Sequence, residues 1–276
     1  MASKTTLSAE LIQVMKELRL GQILPTLADR ITLAEKDELP LQDFLLGVFT
    51  DEVERRRNAS TARRAHDAGL DGDMVFERWD KTAKVTYDRR VLQELVSLRF
   101  VEAQRNVVVL GPVGVGKTFI ASALGHVACR SGFNVKFLRG DDLLRFLRES
   151  RLDNSREVLM TELCTIDLLI IDDFAIEAMT RDESRDIYQL FIERTGKTAT
   201  ILTSNRDTAD WLAVFHDPLL GQGAVDRFKN NAYDLVVDGE SYRPRLKPSI
   251  DKDGPPPSAP VTKPKPLFRR RKRTRT

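Results

Sequence analysis

The 276-residue sequence is poor in the features that mark secreted and membrane proteins. It holds only two cysteines, Cys129 and Cys164, which excludes a disulfide-dense scaffold. Neither cysteine has a metal-ligand spacing, and each lies in an apolar stretch, so we expect reduced core residues. No run of about 18 apolar residues occurs, and the first residues lack the apolar segment of a secretory signal. The sequence therefore predicts a cytoplasmic protein without a membrane partner.

Positive charge is concentrated near the C-terminus. Residues 251–276 carry nine Lys and Arg against two Asp, whereas the other 250 residues have a net charge of −4. This segment also contains six prolines and few large apolar side chains, so we expect a disordered basic tail. Two interpretations stay open: a solvated tail that aids solubility, or an arm that binds DNA phosphates. The candidates for DNA contact in the tail are Arg269, Arg270 and Arg271.

Residues 1–75 show the apolar periodicity of helices and predict a small helical N-terminal domain. Pro25 and Pro40 interrupt the pattern. Five arginines cluster within ten residues of one predicted helix. Ion pairs along the helix surface and contacts with DNA phosphates both account for such a cluster. The candidates for DNA contact are Arg55, Arg56, Arg57, Arg63 and Arg64.

From about residue 100, short apolar runs alternate with longer amphipathic segments. The runs are rich in β-branched residues, which is typical of buried strands. Strands that alternate with helices form right-handed crossovers. Residues 76–250 therefore predict an α/β domain with a parallel five-stranded sheet between helices. The predicted strands are 107–110, 135–138, 168–171, 200–203 and 235–237.

The first predicted strand leads directly into a phosphate-binding motif. The sequence Gly111-Pro-Val-Gly-Val-Gly-Lys-Thr118 fits the P-loop pattern G-x-x-x-x-G-K-[ST]. Its glycines let backbone N–H groups point at phosphate oxygens, and the helix that follows turns its positive end toward them. We expect Lys117 to contact the β- and γ-phosphates and Thr118 to bind Mg²⁺. The predicted cofactors are ATP and Mg²⁺, with the nucleotide bound by Gly111, Pro112, Val113, Gly114, Val115, Gly116, Lys117, Thr118 and Phe119.

Polar side chains follow two later strands. Asp172 and Asp173 come after the run 168–171, at the sheet edge where ligands of open α/β folds bind. Asp172 is predicted to hold Mg²⁺ through water, and Asp173 to orient or deprotonate the attacking water. Asn205, after the strand 200–203, is the candidate sensor of the γ-phosphate. Helix capping by the aspartates and turn formation by Asn205 are the structural alternatives.

Together these motifs resemble the IstB-like ATP-binding proteins, AAA+ transposition helpers related to DnaC-type helicase loaders. The resemblance covers residues 8 to about 247. It implies an ATPase that assembles on double-stranded DNA as a homo-oligomeric ring or filament, selects or remodels the target and recruits a cognate transposase. It is carried by the P-loop, Leu168-Leu-Ile-Ile-Asp-Asp-Phe174, Leu202-Thr-Ser-Asn205 and Gly239-Glu-Ser-Tyr-Arg243.

In that family an arginine of one subunit completes the neighbouring site. The matching position is Arg227, for which a surface ion pair with Asp226 is the alternative. Arg243 is either a second phosphate-sensing arginine or part of a structural ion pair. Many AAA+ proteins have Glu where this chain has Asp173, and the shorter side chain predicts slow hydrolysis. No helical lid is expected after the last strand, so oligomer contacts would rely on residues 1–75.

A DNA-dependent ATPase that assists transposition is the favoured prediction. A DnaC-like helicase loader is the first alternative, distinguished by which partner co-purifies. A P-loop kinase would need an acceptor pocket and an arginine-bearing lid, and the sequence provides no clear segment for either. A nonhydrolysing switch protein would follow if Asp173 made no contribution to turnover.

Overall fold

The computed structural model describes residues 6–246, which form an α/β fold around a six-stranded sheet. The strand order is β1-β6-β2-β5-β4-β3. All five predicted strands are present, and every pair among them is parallel. The strands are β1 (Val85–Tyr87), β2 (Asn106–Leu110), β3 (Val135–Arg139), β4 (Leu168–Asp172), β5 (Ala199–Ser204) and β6 (Ala232–Gly239).

The sheet is mixed, which corrects the expectation of five strands that are all parallel. The added strand, β1, pairs antiparallel with β6 at one edge, where Val85 lies opposite Gly239 and Tyr87 opposite Val237. A strand of three residues is too short to produce a periodic signal in the sequence. β6 is longer than the predicted run 235–237 because residues 232–234 also pair with β2 and residues 238–239 pair with β1.

Ten α-helices occur among the described residues, together with 3-10 helices at Phe76–Arg78, Thr208–Val214 and Arg243–Leu246. No described helix is both long enough and apolar enough to cross a bilayer. The α-helices are α1 (Ala9–Glu17), α2 (Leu24–Lys36), α3 (Leu41–Asp67), α4 (Arg89–Val96), α5 (Arg99–Glu102), α6 (Lys117–Arg130), α7 (Gly140–Leu152), α8 (Arg156–Thr165), α9 (Arg181–Arg194) and α10 (Pro218–Lys229).

Two hydrophobic cores cover the two faces of the sheet. Successive strand residues point to opposite faces, so Leu168 and Ile170 of β4 join one core while Leu169 and Ile171 join the other. Helix α6 covers the first face and α9 the second. Because both faces are buried, the strands are nearly continuous apolar runs, and this made them recognisable in the sequence.

The N-terminal helices have a small core of their own, formed by the buried residues Met15, Ile23, Leu27 and Val48. Pro25 lies in the first turn of α2, and Pro40 immediately precedes α3. Proline is tolerated at both places because the first helical N–H groups need no partner within the helix. The two prolines therefore separate the three helices that the sequence predicted as one helical region.

The long helix α3 connects this small core to the sheet. Its last turn and the residue after it contribute Ala65 and Ala68 to the first large core. Arg64, half-buried, donates hydrogen bonds from Nε (2.9 Å) and Nη2 (2.8 Å) to the carbonyl oxygen of Cys129 near the end of α6. The C-terminal half of α3 is thus fastened to the helix that starts at the P-loop.

The described residues fall into two compact units, one ending at Ser241 and the other beginning at Tyr242. In the first unit, Cys129 and Cys164 are free thiols, and burial raises the pKa of Cys129 to about 11. The predicted tail at 251–276, with Arg269, Arg270 and Arg271, lies outside the described residues.

Candidate nucleotide site

The P-loop connects β2 to α6 and has no room for side chains at its glycines. A Cβ on Gly111 would lie 1.9 Å from the carbonyl oxygen of Val237, and a Cβ on Gly116 would lie 2.9 Å from the Trp79 ring. Gly116 also has a φ of 100°, in the left-handed region that favours glycine. The loop therefore presents bare backbone at the N-terminus of a 14-residue helix, which suits an anion.

Lys117 lies inside this loop and is buried. Its Nζ donates hydrogen bonds to the carbonyl oxygens of Gly111 and Pro112, each at 2.8 Å. Charged phosphate oxygens are stronger acceptors for an ammonium group than neutral carbonyls are. The ammonium group is thus placed where a phosphate would meet it.

Asp172, the last residue of β4, contacts the P-loop. The Thr118 hydroxyl donates to Asp172 Oδ2 at 2.9 Å, and the Thr203 hydroxyl donates to Asp172 Oδ1 at 2.6 Å. Burial raises the pKa of Asp172, and the hydrogen bonds from Thr203 and Thr118 oppose that rise. A hydroxyl and a carboxylate side by side at a phosphate-binding loop are the hard oxygen ligands that Mg²⁺ prefers. The residues present therefore fit the metal.

Asp173 has a different environment from its neighbour. Its φ is 55°, its N–H donates to Thr203 Oγ1 at 2.9 Å, and it is half-buried. Within residues 6–246 nothing donates a hydrogen bond to its carboxylate, and a cavity of about 140 Å³ adjoins it. The next helix, α9, is capped by Thr180, so neither aspartate serves as its cap. The Asp173 carboxylate is therefore available to a water molecule.

The candidate sensor, Asn205, follows β5 and is exposed. Ser204 pairs with Leu110 in the sheet, which puts Asn205 beside the start of the P-loop. Thr203 contacts both aspartates and is not among the site residues predicted from the sequence. In the sequence, Thr203 is marked only by its position in the polar end of a strand. The alternation of side chains along the strand does not show whether Thr203 or Ser204 contacts Asp172.

Aromatic residues lie next to the P-loop on the side of β1. Trp79 packs edge-on against Phe119, with ring centroids 5.2 Å apart, and also against Tyr87 at 6.2 Å. Trp79 and Tyr87 help to line a cavity of about 460 Å³ that extends to Arg89. A flat aromatic surface beside a phosphate-binding loop can stack against a base.

Arg227 lies on the exposed surface of α10. Its Nη1 is 3.3 Å from the Tyr188 hydroxyl and 3.4 Å from the carbonyl oxygen of Gly223, and its guanidinium lies 5.8 Å from the centre of the Tyr188 ring. The alternative ion pair with Asp226 is not among the contacts within the described residues. Arg243 opens the 3-10 helix of the second unit.

The arginines of α3 differ in their contacts. Arg55 and Arg56 both bind the buried carboxylate of Glu52, each with an Nε–oxygen distance of 2.7 Å. Arg63 lies 3.5 Å from Asp67. Arg57 is exposed and forms no ion pair with any residue in the range 6–246. Of the five candidates for DNA contact on α3, four therefore have a partner within the protein: Arg55, Arg56, Arg63 and Arg64.

Comparisons with known proteins agree with this geometry. The family model described as IstB-like ATP binding protein matches residues 13–249. Rv3427c, an insertion-sequence protein of Mycobacterium tuberculosis, is 35% identical over 236 residues, which cover 85% of this chain and 94% of the relative. A protein of insertion sequence IS21 from Pseudomonas aeruginosa is 33% identical over 238 residues, with 86% and 90% covered. The names of both relatives refer to ATP binding.

Solved structures support the fold. The replication initiator DnaA bound to AMPPCP and single-stranded DNA superposes with a TM-score of 0.51 at 20% identity, covering 62% of this chain and 51% of that one. DnaI gives a TM-score of 0.51 at 17% identity, covering 59% and 90%. The predicted P-loop AAA+ fold with a helical N-terminus is confirmed. With its P-loop, its Thr118–Asp172 contact and its insertion-sequence relatives, the chain belongs to the IstB-like ATP-binding protein family associated with IS21 transposition.

Proposed function

We propose that this protein is an ATPase that assembles on duplex DNA and assists transposition by selecting or remodelling target DNA and recruiting a transposase. The observation that carries the proposal is the contact between Thr118 and Asp172 beside the P-loop. This pair would hold Mg²⁺, which neutralises charge on the β- and γ-phosphates when bound. Lys117 binds the same phosphates, and Trp79 with Phe119 provides an aromatic surface for the base.

Hydrolysis requires a positioned water and stabilisation of the phosphoryl group. Asp173 orients the water, because its carboxylate receives no hydrogen bond from a described residue and it directly follows Asp172 at the end of β4. Asn205 hydrogen-bonds the γ-phosphate from the neighbouring strand end. Arg227 enters the site of an adjacent subunit, since it is exposed on α10 and its hydrogen-bond partners within residues 6–246 are neutral. Turnover then depends on assembly, and it is slow because Asp173 is shorter than the Glu of many AAA+ proteins.

The DNA and protein partners belong to the same proposal. The DnaA structure above is bound to single-stranded DNA, and the two relatives reported above come from insertion sequences. Arg57 is the α3 arginine best placed for a phosphate contact, and residues 1–75 provide the contacts between subunits. The insertion-sequence context favours a transposase over a replicative helicase as the partner.

The test is ATP turnover at several protein concentrations, with and without duplex DNA. We expect the rate per subunit to rise with concentration and with DNA. Lys117→Ala should abolish nucleotide binding, whereas Asp173→Asn should retain binding and lose at least about 100-fold in turnover. Lys197→Ala is a matched control because, among the described residues, the Lys197 side chain forms its one ion pair with Glu193 on the surface.

Three outcomes would contradict the proposal. Unchanged turnover in Asp173→Asn would indicate a nonhydrolysing switch protein. Stimulation by a metabolite at high dilution, without a DNA effect, would indicate a small-molecule kinase. Co-purification with a hexameric helicase instead of a transposase would indicate a helicase loader.

A further inference from the structure

Four hydrogen bonds connect the end of β5 to the last residue of β4 and to the two residues that follow it. The regular ladder between these strands ends at Ile171 and Leu202. Beyond it, Thr203 Oγ1 donates to Asp172 Oδ1 (2.6 Å) and accepts from Asp173 N (2.9 Å), the Phe174 N–H donates to the Thr203 carbonyl (2.8 Å), and Ser204 Oγ donates to the Phe174 carbonyl (3.0 Å). We call this set the β4–β5 clasp; its members are Asp172, Asp173, Phe174, Thr203 and Ser204.

Thr203 is the centre of the β4–β5 clasp because its hydroxyl acts on both aspartates. A hydroxyl offers one donor and two acceptor sites. The donor is used on the Asp172 carboxylate and one acceptor on the Asp173 N–H, and Thr203 is fully buried. Valine has nearly the same shape but can supply neither bond.

The Asp172 carboxylate is held at both of its oxygens. Thr118 binds Oδ2 from the P-loop, and Thr203 binds Oδ1 from β5. With both oxygens bonded, the plane of the carboxylate has one orientation relative to the loop. Without Thr203 the side chain could rotate about the remaining contact, and the acidic ligand would lose its alignment with the phosphates.

Asp173 depends on the same hydroxyl through its backbone. A non-glycine residue with a φ of 55° is strained and keeps this conformation only where its surroundings hold it. The bond from Asp173 N to Thr203 Oγ1 is one such restraint, and it fixes the direction in which the Asp173 side chain leaves the backbone.

We propose that Thr203 is a positioning residue of the ATPase site, which sets the Asp172 carboxylate for Mg²⁺ and the Asp173 backbone for water through one buried hydroxyl. The inference rests on the proposed function for its catalytic consequence and on the β4–β5 clasp for its geometry. Asn205, which is exposed, forms no part of the clasp, so the two residues have separate roles.

The fold should survive removal of this hydroxyl. Ser204 holds the loop independently, since its Oγ donates to Phe174 and accepts from Trp211 Nε1 at 3.1 Å. Trp211 is fully buried and packs against the Phe174 ring, with centroids 5.1 Å apart. The backbone bond from Phe174 to Thr203 is also independent of the hydroxyl.

The experiment compares Thr203→Val, Thr203→Ser and Thr200→Val in the full chain. Thr200 is a matched control because it lies on the same strand, is buried and has a bonded hydroxyl, yet its partner is Arg194 instead of an aspartate. Loss of a group that holds a metal ligand typically lowers activity or metal affinity about 10- to 100-fold. We expect Thr203→Val to lose this much in kcat and to need correspondingly more Mg²⁺ for tight ATP binding. Thr203→Ser and Thr200→Val should stay within a few-fold of the wild type.

A second measurement uses the ligand-free protein. Amide hydrogen exchange at Asp173 should become faster in Thr203→Val and stay slow in Thr200→Val, because only the former loses the acceptor of that N–H. Wild-type values of kcat, Mg²⁺ requirement and Asp173 exchange in Thr203→Val would overturn the inference, as would a Thr203→Ser variant as impaired as Thr203→Val. A wild-type protein without turnover would contradict the proposed function, whereas the exchange and Mg²⁺ measurements would still decide the role of Thr203.

Discussion

Different interactions stabilise two regions of the protein: the carboxyl ends of the strands beside the P-loop, and the three N-terminal helices. At the sheet edge, the buried polar groups of Asp172, Thr203 and Ser204 all have hydrogen-bond partners. The N-terminal helices bury four apolar side chains in their own core and leave many more exposed. Those at least 40% exposed are Leu11, Val14, Leu18, Leu33, Leu39, Leu41, Leu45, Leu46, Phe49 and Val53.

This difference shows that the two regions are built for different tasks. A fully bonded site on rigid strands can keep reacting groups in place before the ligand arrives. A helical region with a small core and exposed apolar surface has little stability of its own and gains it from contacts with other surfaces. Substitutions at the sheet edge should therefore change nucleotide chemistry, and substitutions in the helices should change stability and assembly.

The largest expected effect is on ATP hydrolysis, and it tests whether Arg227 acts in the nucleotide site of a neighbouring subunit. Arg227→Ala should lower DNA-stimulated hydrolysis by about 10³-fold, the low end for an arginine finger, while ATP binding stays unchanged. Mixing Arg227→Ala with Lys117→Ala subunits should restore part of the activity, because each variant supplies the group that the other lacks. Turnover assays of the mixtures measure this.

The exposed Arg185 of α9 provides the matched control. Arg185→Ala should keep wild-type turnover. Equal losses in the two arginine variants, or mixtures that stay inactive, would show that Arg227 does not act between subunits.

The next effect tests the connection between the two regions. Arg64→Ala removes both hydrogen bonds to the Cys129 carbonyl and should lower the free energy of unfolding by about 1–2 kcal/mol. ATP affinity should be unchanged. Arg63→Ala, which loses only an exposed 3.5 Å contact with Asp67, should cost less than about 1 kcal/mol. Urea denaturation of both variants compares them, and equal losses would mean that Arg64 does not connect α3 to α6.

A smaller effect concerns DNA. Arg57→Ala should weaken duplex binding at low salt and reduce the slope of log affinity against log salt by about one, as expected for one lost phosphate contact. Arg55→Ala should change the slope less, because Arg55 is bound to Glu52. Titrations at several salt concentrations measure both slopes. The same change in both variants would show that the ion pair with Glu52 does not withhold Arg55 from DNA.

The smallest effect is a pH dependence within the N-terminal helices. Arg55, and then Arg56, lower the pKa of Glu52 from 4.5 to about 2 against the opposing effect of burial. A lowered pKa gives stability that is complete above pH 4.5 and is lost as the pH falls toward 2. The wild type should therefore exceed Glu52→Gln in stability at pH 7, and the difference should shrink between pH 4.5 and 2. Denaturation across this range tests it, and a constant difference would exclude the ion pair as its source.

Features encoded in short contiguous stretches were predictable from the sequence. The P-loop and the buried runs of β2 and β4 each carry their signal within a few residues, and parallel strands with P-loop topology bring Asp172 to Thr118. The roles of Thr203 and Arg64 depend on partners 31 and 65 residues away along the chain. The local sequence around Thr203 in β5 or Arg64 in α3 therefore does not indicate which distant residue each of them contacts. Ion pairing within α3 was foreseen for the arginine cluster, and it describes Arg55 and Arg56 but not Arg64.

Helix α6 lies between the P-loop and the contact that Arg64 makes with Cys129. The helix begins at Lys117 in the P-loop and ends next to Cys129, whose carbonyl oxygen accepts the hydrogen bonds from Arg64. Its 14 residues span about 21 Å. The point at which α3 is anchored is therefore separated from the phosphate-binding residues by the whole length of α6, so substitution can alter the N-terminal helices and the nucleotide site independently.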